Sequence, residues 1–508
     1  MGAGDTETGS GQRRGALVID GEEVAGAEGT YPVTNPARPA EVVLHAPSAS
    51  PGQLDQSVAA ARRAQPAWAA LDHDERAGLV VAAAERAGAA VGEQGLDRLL
   101  TQEHGKVLWE ATFDASTLGG MAAAFAPLAR EAVVGRASGG QPGTGGRGTV
   151  VRHQPHGVVA ALLPFNWPVS VMGNKIVPAL LTGNTVVVKA PPTCPGAVLA
   201  TAAVMAAALP PGVLTVLNGP GPELGAALVA HPGVDMVSFT GGVPTGRAVM
   251  AAAAGAVKPV VLELGGNDPA ILAPDVDIDA ALAAQLVGAA FVTSGQVCMA
   301  IKRLYVHHDR LDELVEALRQ RLAEEVVGDG LAEGVTMGPV HLPQARHRVE
   351  ALVADAEHRG AAVLRPATVR PEDAAAGGYL VSPALVVDPP ADAPIVVEEQ
   401  FAPALPVIAY RDLDAAVAQA NDTEYGLCAS IWSNDADLAA SVAARLEAGT
   451  VFVNTHGMSA MDYQAPMGGW KQSGFGVELG VEGFAAFTRQ QTVLTHAAPG
   501  RPVTRGEA

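Results

Sequence analysis

Three groups with the chemistry of acyl transfer stand at separate points in this chain: a thiol at Cys298, a carboxylate at Glu263 and a side-chain amide at Asn166. Cys298 follows Thr293-Ser294-Gly295-Gln296-Val297, between a helix-like apolar stretch at 280–292 and a strand-like run at 304–307. Gly295 lets the backbone approach a ligand closely, and the N–H groups of Gln296 and Cys298 then lie near the thiol. A thiol flanked by such donors suits covalent attack on a carbonyl, with the donors holding the oxyanion. The same segment also fits a buried, inert cysteine, because free cysteine is among the most buried residue types. Glu263 ends the apolar run Pro259-Val260-Val261-Leu262. A carboxylate leaving a buried strand has its pKa raised and becomes a base near neutral pH. A salt-bridged or helix-capping glutamate is the alternative. Asn166 sits in the rigid turn Pro164-Phe165-Asn166-Trp167-Pro168, either as an oxyanion donor or bonded to its own backbone.

The elements that position these groups follow from the hydrophobic pattern. Apolar strands at 157–163, 184–189, 213–217, 235–239 and 259–263 alternate with helix-like stretches at 170–182, 196–209, 222–230 and 245–254. Continuous apolar strands joined through helices and short Gly/Pro turns predict a doubly wound parallel sheet, which binds ligands at the carboxyl ends of its strands. That edge collects Pro164 to Pro168, Lys189, 219–225, Thr240-Gly241-Gly242 and Glu263. No Gly-x-Gly-x-x-Gly fingerprint follows a strand. Gly241-Gly242-Val243-Pro244-Thr245-Gly246 is better placed than Gly219-Pro220-Gly221, since Pro244 opens a helix whose N–H groups suit a pyrophosphate; an ordinary strand-to-helix turn fits as well. Alternation resumes after Cys298 and predicts a second α/β unit of about 200 residues. Residues 51–132 read as a helical layer. The Gly-rich stretch 135–148 reads as a flexible connection or hairpin, because no Gly-Lys-Ser/Thr ending makes it a phosphate loop.

Composition narrows the function classes. The chain has 508 residues, 48% of them hydrophobic, enough for two or three domains with sizeable cores. A net charge of −20 argues against nucleic acid or an anionic membrane as partner. No apolar run reaches the ~18 uncharged residues of a spanning helix. The polar N-terminus lacks a signal-peptide core, so a cytoplasmic location is expected. Cys194, Cys298 and Cys428 are too few for a disulfide framework or a cysteine-built zinc site, and no metal is expected.

Seven motifs in order carry a resemblance: Pro164 to Pro168, Thr185 to Lys189, Phe239-Thr240-Gly241-Gly242, Leu262 to Gly266, Gly295 to Cys298, Glu398-Glu399-Gln400-Phe401-Ala402-Pro403, and Met467-Gly468-Gly469-Trp470-Lys471-Gln472-Ser473-Gly474. The series resembles the aldehyde dehydrogenase superfamily over residues 17–495. The resemblance implies Cys298 as nucleophile, Asn166 with the Cys298 N–H as oxyanion donors, and Glu263 as the base that activates water. Lys175 and Glu478 match a proton exit path. It implies NAD or NADP as cofactor, with Lys189 at the adenosine ribose, Glu399 and Phe401 at the nicotinamide ribose and ring, and Pro164, Phe165, Thr240, Gly241, Gly242, Gly246 and Leu264 in the same site. It also implies a dinucleotide-binding domain from 16–132 and 152–263, a catalytic domain from 264–476, and an oligomerisation hairpin and strand from 133–151 and 477–495. Residues 1–15 and 496–508 are expected as tails, and the assembly as a homodimer or homotetramer.

The chain departs from the family pattern in several places. Pro192 stands where many NAD-dependent members have a ribose-binding glutamate, which leaves NADP permitted. Gly242 replaces a serine, Asn267 a lysine, Ala402 a glycine and Val477 an arginine. A CoA-acylating semialdehyde dehydrogenase is the nearest enzymatic rival, but that branch lacks the carboxylate present here at Glu263. A non-catalytic relative would have lost the cysteine, base or amide. Trp167, Val171, Val297, Met299, Met461 and Tyr463 match tunnel positions, with Phe165 beside them. This aromatic and soft apolar lining has no obvious cation, so a neutral aliphatic or aromatic aldehyde is expected, since an unpaired buried carboxylate is costly. His456 and Asp462 would make the mouth more polar.

Overall fold

Strands that are apolar on both faces need cover from helices on each side, and helical crossovers make them pair in parallel. The computed structural model, which describes residues 13–139 and 148–495, shows this twice. In the first sheet Val260–Glu263, Met236–Thr240, Val158–Leu162, Thr185–Lys189 and Leu214–Leu217 lie side by side in that spatial order, all parallel. The chain runs outward from Val158–Leu162 to one side, then returns to build the other side from Met236–Thr240. The order therefore reverses between these two strands, which is where an open α/β sheet offers a crevice to a ligand. Helices Pro168–Leu181, Gly196–Ala207, Glu223–Ala230 and Val243–Ala254 make the crossovers. Four further helices, Pro51–Ala70, His73–Gln94, Leu96–His104 and Leu108–Val133, form the predicted helical layer. Ser50 opens the first with a capping box, its Oγ accepting from Gln53 N while the Gln53 side chain accepts from Ser50 N.

The second sheet has the order Ala362–Leu364, Ala384–Val387, Ala404–Tyr410, Ile301–His307, Asp268–Leu272, Cys428–Trp432 and Thr450–Val453, parallel except for the first strand. A separate antiparallel sheet joins Thr488–Thr495 to Gly148–Pro155 and that strand to Arg136–Gly139. The segment between the last two strands, residues 140–147 of the Gly-rich stretch, lies outside the described residues, as do most of the N-terminal and all of the C-terminal expected tail. No helix of the described residues is long and apolar enough to cross a membrane.

Three placements differ from the sequence-based boundaries. Arg13–Arg14 form a strand parallel to Leu44 and His45, inside the stretch expected as tail. Gly474–Phe475, within the span expected as catalytic domain, pairs antiparallel with Leu262 and Glu263 on the edge of the first sheet. The helix Gly480–Ala485 buries Phe484 against Phe125 of the helical layer, in a segment expected only as part of an oligomerisation strand. Two-residue strands and non-local packing leave no periodic trace in a sequence.

Candidate active site

Helix Ala280–Phe291 ends in a tight turn, Val292–Gly295, in which Thr293, Ser294 and Gly295 all take positive φ (53°, 55° and 72°). Three consecutive left-handed residues are strained and persist only when surroundings over-determine them. Here Thr293 N donates to Glu110 Oε1 at 2.6 Å, Ser294 Oγ donates to the Gly338 carbonyl at 2.8 Å, and His341 N donates to Gln296 Oε1 at 2.9 Å. A Cβ on Gly295 would stand 2.7 Å from the Ala402 carbonyl oxygen. Gly295→Ala is therefore expected to cost about 1–3 kcal/mol of stability from strain and collision together, read as a lowered thermal midpoint.

The turn delivers Cys298, half-buried, into an apolar cluster with Trp167, Val171, Val297, Met299, Cys428 and Met461. Burial pushes its thiol up to about 12, with Lys302 pulling down against it. The Gln296 N–H, expected beside the thiol, instead donates to the Thr293 carbonyl at 3.1 Å, because the turn closes on itself. Asn166 is buried in the turn between Val158–Leu162 and Pro168–Leu181, and its Nδ2 donates to the Gln296 carbonyl at 2.9 Å. The amide is thus tied to the nucleophile segment across 130 residues of chain.

Glu263 is buried at the end of its strand, and Oε1 has no hydrogen-bond partner among the described residues. Its carboxyl is held well above the usual carboxylate range, first by burial and then by Glu478, with Lys175 opposing. Lys175 Nζ, on helix Pro168–Leu181, donates to Glu478 Oε1 at 2.7 Å and to Ser238 Oγ at 3.1 Å, all three groups being buried.

The carboxyl edge of the first sheet holds unsatisfied polar groups of the kind a dinucleotide would occupy. Lys189 Nζ is buried with a 3.4 Å bond to the Gly219 carbonyl, and burial lowers its pKa to about 8. Thr240 Oγ1 is buried without a partner among the described residues. Helix Val243–Ala254 has Gly242 at its N-cap and no side-chain cap bond, so its first N–H groups face outward uncapped. Gly246 packs on Leu264, where a Cβ would come within 2.4 Å of Leu264 Cδ2. Across the crevice, Glu399 Oε1 accepts from Gly266 N at 3.0 Å and lies 3.6 Å from Lys302 Nζ. Phe401, at φ 49°, meets the edge of Phe165 at 6.0 Å between centroids, and Phe165 follows Pro164 at the lip of the sheet.

Several expected residues land elsewhere. Tyr463 packs against Phe125 in the helical layer rather than beside the thiol, because its loop turns back onto helix Leu108–Val133. His456 is buried, with Nδ1 2.9 Å from Ser430 Oγ, and so does not line a polar mouth; Asp462 is exposed. Asn267 Nδ2 donates to the Val396 carbonyl at 2.8 Å, a structural use for that departure, whereas Pro192 is engaged through its main-chain carbonyl, which accepts from Tyr31 OH at 2.7 Å and which any residue there would supply.

Other residues of the site escape a linear reading. Phe113 lies edge-on to Trp167 at 5.9 Å and is half exposed, with Trp109 one helical turn earlier 62% exposed. The i, i+4 spacing of two aromatics on the helix was the available signal. Beneath Trp167, the buried Lys106 ammonium sits 4.0 Å from the indole centroid and 2.8 Å from Asp114. His341 stacks on Phe165 at 4.6 Å and on His104 at 5.0 Å, and its Nε2 is 2.6 Å from Thr193 Oγ1. Burial holds both imidazoles below their usual range.

The arrangement has close counterparts among known proteins. The aldehyde dehydrogenase family model matches residues 24–493. A 3,6-anhydro-alpha-L-galactose dehydrogenase of Streptomyces coelicolor is 37% identical, with 95% of this chain and 96% of that protein covered. The solved betaine aldehyde dehydrogenase of Staphylococcus aureus in complex with NAD+ has a TM-score of 0.88 at 31% identity, covering 96% and 95% of the two chains. The NADP-dependent glyceraldehyde-3-phosphate dehydrogenase of Bacillus halodurans, complexed with NADP, has a TM-score of 0.87 at 32% identity, covering 96% of this chain and all of that one. This chain belongs to the aldehyde dehydrogenase family of enzymes.

Proposed function

We propose that the chain oxidises an aldehyde to its carboxylic acid through a covalent thioester on Cys298, with NAD or NADP as cofactor. The observation that carries this reading is the buried Glu263 carboxyl, whose Oε1 has no hydrogen-bond partner among the described residues, at the carboxyl edge of the sheet that also holds the Asn166 amide bonded to the Cys298 turn. Cys298 Sγ attacks the carbonyl carbon as the thiolate, and the Asn166 amide with the Cys298 N–H holds the oxyanion of the thiohemiacetal. Lys189, Thr240 and the uncapped helix at Gly242 would hold the adenosine and pyrophosphate, and Glu399 with Phe401 the nicotinamide end. When bound, the nicotinamide cofactor supplies the acceptor for the hydride that the thiohemiacetal carbon must lose. Glu263 then takes a proton from water, which attacks the thioester and releases the acid and the Cys298 thiolate. The proton leaves toward the Lys175–Glu478 pair, whose charges already act on Glu263.

Trp167, Val171, Val297, Met299 and Met461, with Phe113 added, favour a neutral apolar or aromatic aldehyde, because a charged substrate would lose solvation without gaining a partner. The antiparallel sheet of Thr488–Thr495 and Gly148–Pro155 is the proposed contact of a homodimer or homotetramer. The test is formation of reduced nicotinamide from short, long, aromatic and carboxylate-bearing aldehydes, with NAD and NADP side by side. Turnover favouring neutral aldehydes supports the reading; no turnover with either cofactor sinks it. In the same assay Asn166→Ala is expected to lower kcat by about 10²–10³-fold, the usual cost of one oxyanion donor.

A further inference from the structure

The loop 338–342, which leads into helix Pro343–His358, carries a histidine that neither the motifs nor the proposed chemistry employs. Gly338 lies so close to the Gly105 carbonyl oxygen that a Cβ has no room, and Val340 N donates to the Tyr379 carbonyl at 3.0 Å. The loop is thus pinned just before His341, and the helix begins just after it. His341 is itself buried. Its Nδ1 lies 3.0 Å from the His104 carbonyl oxygen, which can only accept. In the neutral ring Nδ1 therefore carries the proton, and Nε2 accepts from the Thr193 hydroxyl at 2.6 Å. Burial lowers the pKa of this imidazole to about 4, so it keeps that form at neutral pH. A ring satisfied at both nitrogens has one orientation.

Two tethers hold the Asn166 amide, and both lead to His341. One runs through the turn that carries the amide. The imidazole lies 4.6 Å from the Phe165 ring at 13° between planes, and Phe165 directly precedes Asn166. The other runs through the turn that carries the nucleophile. Asn166 Nδ2 donates to the Gln296 carbonyl at 2.9 Å, and His341 N donates to Oε1 of the same glutamine at 2.9 Å. Gln296 Nε2 in turn donates to the Thr293 carbonyl at 3.1 Å. We propose that His341 is a positioning residue that sets the Asn166 amide against the Cys298 turn, its ring fixing Phe165 and its main chain fixing Gln296. The inference rests on the reading in which Asn166 holds the oxyanion. One of the two Nδ2 hydrogens is spent on the Gln296 carbonyl, so the tethers alone aim the other. A misplacement of about 1 Å costs a reacting geometry about 10²-fold in rate, so a residue that never touches substrate governs the step.

The experiment is a double-mutant cycle on aldehyde oxidation by the full chain, joined to backbone hydrogen exchange read by peptide mass spectrometry. His341→Leu, which keeps bulk without ring or nitrogens, is expected to lower kcat and kcat/KM together by about 10–100-fold. On an Asn166→Ala background the same substitution is expected to change kcat by less than about twofold, because no amide remains to be aimed. A merely structural role would lower kcat equally on both backgrounds. Exchange is expected to rise in 164–168 and 293–298 and to stay unchanged in the strands of the first sheet. Thr193→Val removes only the hydroxyl that faces Nε2 and is expected to move both readouts the same way by less. That variant decides the matter if His341→Leu does not fold, and wild-type kcat and exchange in it then overturn the proposal. So does a wild-type kcat in His341→Leu, an equal loss on the Asn166→Ala background, or unchanged exchange in the two segments. Exchange needs no turnover. Raised exchange of both segments in a chain that oxidises nothing would sink the catalytic reading alone. Turnover that Asn166→Ala lowers and His341→Leu does not would sink this one alone.

Discussion

Cys298→Ala is expected to reduce aldehyde-dependent cofactor reduction by about four orders of magnitude or more, the scale seen when a covalent nucleophile is removed. The expectation follows from the exposure of the thiols. Cys194 is buried beneath Phe165 with its Sγ 3.3 Å from that carbonyl oxygen, and Cys428 is buried in the second sheet. Cys428 packs in the same apolar cluster as Cys298, but of the three thiols only that of Cys298 is partly exposed, and burial raises the other two far above the ordinary thiol range. The variant keeps the strained turn, since Thr293, Ser294 and Gln296 make its bonds. Its thermal midpoint should stay near wild type while initial rates collapse. Substantial residual turnover would show that the thiol is not the nucleophile.

Glu263→Gln is the second large effect, with steady-state kcat expected to fall by about 10²–10⁴-fold, the range for a general base. The loss falls on release of the acid, so the first turnover should survive. The wild-type pH profile gives an independent reading. A base acts only when deprotonated, and burial with Glu478 nearby raises the pKa of Glu263. Hydrolysis should therefore rise with pH through that raised value and fade below it. In the glutamine variant this limb of the profile should vanish. A profile with the same rising limb in both proteins would place the base elsewhere.

The residues legible in the sequence are those that sit at strand ends. Lys189, Thr240 and Glu263 each terminate an apolar run, and the alternation of such runs with helices fixed the parallel sheet and its ligand-binding edge. Residues joined only by the fold were illegible. Lys302 and Glu399 are nearly a hundred positions apart and meet because Ile301–His307 and Ala404–Tyr410 are neighbours in the second sheet. His341 reaches Phe165 in a distant loop and His104 at the end of helix Leu96–His104 through ring stacking, which no periodicity encodes. Gly474–Phe475 joins the first sheet through a two-residue pairing too short to mark the chain. Tyr463 was misplaced for the reverse reason: loop sequence does not show which wall the loop returns to.

These buried groups also explain how the crevice keeps its shape. Glu110 holds Thr293, Asp114 Oδ1 accepts from Ser170 N at 2.7 Å, and Glu103 accepts from Gly196 N and Ala197 N at 2.7 and 2.8 Å. Each carboxylate from the helical layer satisfies backbone donors that would otherwise be orphaned inside the protein. The helical layer thereby sets the turn before Cys298, the start of the helix after Asn166 and the start of the helix after Lys189.

The most direct measurement is a single-turnover experiment on Glu263→Gln with an accepted aldehyde and cofactor, quenched in acid and analysed by peptide mass spectrometry. The account predicts that the Cys298 peptide gains the mass of the aldehyde less two hydrogens, the thioester left after hydride loss, and that the adduct disappears in hydroxylamine. An unmodified Cys298 peptide after one equivalent of cofactor has been reduced, or the acyl group on another residue, would contradict it.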